Sequence, residues 1–125
     1  MASQYRSGRM AIAGDAAHLN SPKGGMGLNG GIHDVFCLAP LITRIVNGAS
    51  LDLLDLYERK RRPIAEEEII AQADANRARM NTTDQSARMK HLQNMQAIAN
   101  DQQRSREFLL KSSMITGLRR AERLS

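Results

Sequence analysis

The sequence predicts an α/β fragment: one strand of the buried, parallel type, then a glycine loop, then almost nothing but helix. Three observations carry this. Five of the nine glycines crowd between Gly24 and Gly31. A short run, Met10-Ala11-Ile12-Ala13, sits directly before Gly14-Asp15 and is apolar on both faces, as strands of parallel sheets are. Downstream, apolar residues recur at helical spacing and no second convincing strand follows. A lone strand leaves backbone N–H and C=O groups open on both edges, so its sheet is expected to lie outside this chain.

Met1 to Arg9 is polar and reads as an irregular lead-in. Gly14-Asp15 ends the strand, which puts Asp15 at the carboxyl end, where open α/β sheets usually contact ligands. Ala16 to His18 begin a turn that Asn20-Ser21-Pro22 continues, with Pro22 holding the loop extended on entry to the glycines. Glycines there let backbone approach a ligand closely, and the helix that follows offers unpaired amides and a partial positive charge.

From Leu28 the pattern becomes helical. Leu28, Ile32, Val35, Phe36, Ala39, Ile42, Thr43 and Val46 share the face expected to be buried. Pro40 should kink this helix, and Asn47-Gly48 is a good stop. This divides the chain into a strand–loop–helix segment, residues 1–48, and a helical region, residues 49–125.

In the second segment Ser50 reads as an N-cap, with Asp52 in the first turn and Leu51, Leu54 and Tyr57 on the buried side. That helix is expected to end in the basic run Arg59-Lys60-Arg61-Arg62. Pro63 should open a new helix, with Glu66, Glu67 and Glu68 near its positive N-terminus, running to about Met80. After a break at Asn81 to Asp84, one long polar helix is predicted from Gln85 to about Met114. Its thin stripe of Met89, Leu92, Met95, Ile98, Phe108 and Leu109 needs a partner surface. Leu118 to Ser125 reads as frayed.

Composition narrows the function classes. The net charge of +5 is spread along helices among Asp and Glu, and 3% aromatic residues give little to stack on bases, so no nucleic-acid partner is expected. A single cysteine, Cys37, rules out an internal disulfide and a cysteine zinc site. His18, His33 and His91 lack the spacing of a helix-borne metal pair, so no metal is expected. There is no apolar leader after Met1 and no run near the ~20 apolar residues of a membrane helix, so the expected setting is cytoplasmic, without a membrane span.

Gly25-Met26-Gly27-Leu28-Asn29-Gly30 matches the dinucleotide pattern G-x-G-x-x-G, but its context argues against a first βαβ unit. About ten residues separate Ala13 from the glycines, whereas that pattern follows its strand at once. No Gly-Lys-Ser or Gly-Lys-Thr occurs, so the phosphate loop of nucleotide triphosphatases is absent too.

The full string is more specific. Arg9 to His18 (RMAIAGDAAH), then Pro22-x-Gly24-Gly25-x-Gly27-x-Asn29-x-Gly31-x-x-Asp34, resembles the second flavin fingerprint of the single-component FAD-dependent aromatic monooxygenases. Leu54-x-x-Tyr57-Glu58-x-x-Arg61-Arg62-Pro63 is similar to a segment that follows in the same family. The resemblance is close from Gly8 to about Ala65 and vaguer beyond.

It implies that the strand belongs to a parallel FAD-binding sheet and that residues 1–48 contact the flavin. By resemblance, Asp15, after Gly14, would hydrogen-bond a ribityl hydroxyl, and the carbonyl of Pro22 would face the reaction site. Gly25 and Gly27 would let backbone approach the isoalloxazine and pyrophosphate. The amides of Leu28 and Asn29 would meet the flavin O2 and N1 edge, where a helix N-terminus stabilises negative charge. His18 reads as a supporting or turn residue rather than a catalyst, because hydroxylation chemistry belongs to the cofactor.

In the complete enzyme NAD(P)H would reduce FAD, and oxygen would be used to hydroxylate an aromatic small molecule. This chain departs from the family in two ways: Cys37-Leu38-Ala39-Pro40 replaces an Asn-Leu-Ala-Trp-like segment, and the N-terminal FAD and substrate portions are missing. It therefore reads as a fragment inactive alone. The alternative is a non-enzymatic helical interaction domain that keeps a relic flavin loop.

Overall fold

The computed structural model describes residues 1–19 and 26–124. In chain order the elements are β1 (Arg6–Ser7), β2 (Met10–Ala11), α1 (Asp15–His18), α2 (Met26–Val46), α3 (Leu53–Ile64), a π-helical turn (Ala65–Ile70), α4 (Ala71–Asn81), α5 (Gln85–Ala99), α6 (Gln102–Ser112) and α7 (Ile115–Glu122).

The expected parallel strand is replaced by a hairpin. β1 and β2 pair antiparallel, Arg6 opposite Ala11 and Ser7 opposite Met10. Gly8, at φ 58°, lies between the two strands in a left-handed conformation that costs glycine little. The polar lead-in thus supplies the pairing that the apolar run lacked. Burial also departs from expectation: Met10 is 70% exposed, whereas Tyr5, in the supposedly irregular lead-in, is 1% exposed.

Contacts with α3 explain this. Glu58 Oε2 accepts the amides of Tyr5 and Arg6, each at 2.9 Å. The Tyr57 hydroxyl donates to the Ile12 carbonyl at 2.9 Å. Tyr5 and Tyr57 pack with their ring centres 6.1 Å apart. Among the described residues, the hairpin is fastened to a helix rather than to a sheet.

Helix α2 runs through Pro40 and stops at Asn47-Gly48, where Gly48 takes φ 96°. Its buried side is not the predicted one. Leu28, Ile32, Val35, Phe36, Ile42 and Val46 are exposed, Phe36 at 77%. The buried row is Met26, Gly30, Asp34, Leu38 and Leu41. Gly30 sets the close approach: a Cβ there would overlap Ile69 Cδ1 and lie 3.1 Å from His18 Cε1. The apolar stripe was the larger signal, but the small-and-polar stripe fits the neighbour.

Ser50 accepts the Asp52 amide at 3.2 Å, while Asp52 itself holds the N-cap position of α3. Pro63 does not open a helix. It lies inside α3, which passes into the π-helical turn and then α4. Burial of Ile64, Ala65 and Ile69 keeps this stretch helical against the ~3 kcal/mol that an interior proline costs. The acidic triplet therefore sits in mid-rod, and Glu68 is buried. Burial pushes the Glu68 carboxyl up, against the opposing pull of Arg120 and the Gly117 amide.

The predicted long polar helix is two. Asp101 breaks it, its carboxylate accepting the Arg104 amide at 3.0 Å as an N-cap, while Asp84 caps α5 through the Ser86 amide at 2.8 Å. Leu118 to Glu122, expected to be frayed, belong to helix α7. Gly117 and Ala121 of α7 are buried, and Arg120 pairs with Glu67 at 2.6 Å. Helix α5 has no buried residue, consistent with its thin apolar stripe.

Candidate functional site

The centre of the site is a buried carboxylate. Asp34, on the inward row of α2, is fully buried, as is His18. Asp34 Oδ2 bonds His18 Nε2 at 2.6 Å and accepts the Gly14 amide at 3.0 Å. Asp34 Oδ1 accepts Arg61 Nε at 2.7 Å, and Arg61 is itself only 1% exposed. Burial alone would raise the Asp34 pKa, but the bonds from His18, Arg61 and Gly14 outweigh it and hold the carboxyl below its ordinary value. One side chain therefore joins α1, α2, α3 and the Gly14 corner.

That corner forms one wall of a cleft. Gly14 has φ 63° and precedes α1; its amide is fixed by Asp34, and Gly31 of α2 comes so near that a Cβ on it would meet Gly14 Cα at 3.2 Å. The cleft, about 610 Å³, is lined by Gly14 and Asp15 on one side and by Gly27 and Leu28 from the first turn of α2 on the other. Ile32, Val35 and Phe36 extend it as an apolar wall. Asp15 is exposed and forms no ion pair among the described residues. Gly27 and Leu28 stand in the first turn of α2, the end at which a helix dipole places partial positive charge.

Of the residues singled out from the sequence, Gly14, Asp15, Gly27 and Leu28 come together around this cleft. Asn29 is exposed next to them but is not part of the lining. Pro22 and Gly25 lie outside the described residues. The sequence assigned Asp34 and Arg61 no role and His18 that of a supporting or turn residue. Their signal was phase: Asp34 falls four residues from both Gly30 and Leu38, and Arg61 falls four from Tyr57, so each lies on its helix's inward row. No cluster of three metal-ligating side chains occurs among the described residues, and no helix among them is long and apolar enough to cross a membrane.

The family model for an FAD binding domain matches residues 1–73. The chain belongs to the FAD-binding-domain family. Para-nitrophenol 4-monooxygenase of Pseudomonas sp. (strain WBC-3) is 38% identical over 123 residues, covering 98% of this chain and 30% of that protein. Rifampicin monooxygenase of Rhodococcus hoagii is 48% identical over 66 residues, which is 52% of this chain and 14% of the relative. Pentachlorophenol 4-monooxygenase of Sphingobium chlorophenolicum is 47% identical over 68 residues, 54% of this chain and 13% of the relative. The chain thus spans less than a third of the length of these relatives. No solved structure matches it. As a member of this family the chain carries part of an FAD-binding domain, and the cleft lies within the matched residues.

Proposed function

We propose that this chain is the flavin-contacting segment of an FAD-dependent monooxygenase that hydroxylates an aromatic ring, and that turnover needs the remainder of such an enzyme. The observation that carries this reading is the meeting of Asp15 with the first turn of α2 across one apolar-walled cleft. The residues present fit a flavin. Ile32, Val35 and Phe36 suit a planar ring system, the Asp15 carboxylate can accept from a ribityl hydroxyl, and the amides at Leu28 and Asn29 favour negative charge at the N1 and O2 edge. The roles that the resemblance implies for Pro22 and Gly25 fall on residues outside those described.

FAD, when bound, supplies the redox chemistry, with NAD(P)H as electron donor. This chain's own residues bind it, orient it and stabilise charge on it. Two of the relatives are named for phenols, para-nitrophenol and pentachlorophenol, so a phenol is the substrate class proposed first.

The test separates the ribityl bond from ring binding. A hydrogen bond to a carboxylate contributes ~1.5–3 kcal/mol, roughly 10- to 150-fold in affinity. Asp15→Ala should therefore weaken riboflavin binding by about tenfold or more while leaving lumiflavin, which has no ribityl chain, within about twofold. Equal losses for the two ligands would remove Asp15 from this role. No binding of either by the unaltered chain would count against the cleft as a flavin site.

A further inference from the structure

We propose that Asp34 is a positioning residue of the cleft: its carboxylate fixes the Gly14–Asp15 corner against α2, with His18 and Arg61 as the clamps that orient it. This rests on the flavin reading for its purpose, though not for its geometry. Among the described residues, the Gly14 amide is the one partner of Asp34 that belongs to the cleft wall, and it donates to the same Oδ2 that His18 bonds. Gly14 takes a positive φ and directly precedes Asp15, so a small rotation there swings the Asp15 carboxylate. Gly31 of α2 also comes close to that corner, but by bare van der Waals approach and without a hydrogen bond. His18 and Arg61 do not line the ligand cleft; they reach it through Asp34.

Oxygen Oδ2 serves two partners and Oδ1 serves Arg61, so the task needs both oxygens as acceptors. Asparagine keeps the shape but presents one oxygen and one NH₂ donor group. Whichever way it turns, it cannot hold Gly14, His18 and Arg61 together. Arg61→Lys keeps the charge but loses the planar fork, so it should loosen the clamp less.

The experiment is amide hydrogen exchange on the isotope-labelled full chain, together with riboflavin titration. Asp34→Asn should speed exchange of the Gly14 amide by at least about tenfold while amides inside α3 keep their protection, and should weaken riboflavin at least about tenfold. Arg61→Lys should move both readouts in the same direction by about threefold. It also keeps the test decisive if Asp34→Asn fails to fold. Unchanged Gly14 exchange in folded Asp34→Asn overturns the proposal. So does a uniform acceleration of every amide in either variant, which would mean that the network only holds the fold together. If Gly14 loosens selectively while riboflavin fails to bind even the unaltered chain, the positioning role stands and the flavin reading falls.

Discussion

Asp34→Leu is expected to destabilise the protein by about 3–5 kcal/mol, because it leaves the buried Arg61 guanidinium without its counter-ion. The same change strips His18 Nε2 and the Gly14 amide of their acceptor. Among the described residues, Arg61 Nη1 and Nη2 have no hydrogen-bond partner, so Asp34 is the charge that makes burial of this arginine tolerable. Urea unfolding at neutral pH measures the loss. A value under about 1 kcal/mol would mean that the network is worth no more than an apolar replacement.

Acid should expose the same dependence. The Asp34 carboxyl lies below its ordinary value in the folded state, so its stabilisation is complete above the unfolded pKa of about 3.9 and is lost as pH falls through the folded value. The unaltered chain should therefore lose stability on acidification below about pH 4, and the Asp34→Leu chain should lack that component.

Gly31→Val should cost at least about a hundredfold in riboflavin affinity with little loss of helix. Two backbones meet at this point: a Cβ on Gly31 would sit 3.2 Å from Gly14 Cα, and valine adds two methyl groups beyond it. Something must move, and both candidates are main chain. The corner would be driven away from α2, widening the cleft and separating Asp15 from the first-turn amides. Helix propensity does not oppose the change, since valine is the better helix former. Gly31→Ala should fall between the two, within about tenfold of the unaltered chain, because a shift of a few tenths of an ångström relieves it. Titration of both variants with riboflavin, alongside circular dichroism, checks this. Undiminished affinity in Gly31→Val would show that the close approach has no bearing on the ligand.

The parts of this fold legible in the sequence were those written locally. The helix after the glycines and its stop at Asn47-Gly48 could be read directly, whereas Gly14-Asp15, read as the end of a parallel strand leading into a turn, instead follows a hairpin and opens the short helix α1. The hairpin could not be read. Its strands are two residues long, and what anchors them is Glu58 and Tyr57, some fifty residues away. The inward face of α2 was misread because hydrophobicity pointed to Leu28, Ile32 and Phe36, whereas packing selected Gly30 for its lack of a side chain and Asp34 for its partners. Arg61 looked like one of four solvated cations; only Asp34, 27 positions earlier, makes it a core residue. Pro63 carries a strong local signal for a helix start, and burial of the residues after it overrode that signal.

In the proposed function, flavin contacts the Gly14–Asp15 corner and the first turn of α2. Titrating the isotope-labelled chain with FAD while following every backbone amide tests it most directly, since amide shifts report binding even at a dissociation constant of ~1 mM. Saturable shifts are expected at Ala13 to Asp15 and at Gly27 to Gly31, with α5 and α6 unmoved. Shifts confined to the C-terminal helices, or none at millimolar FAD, would contradict it.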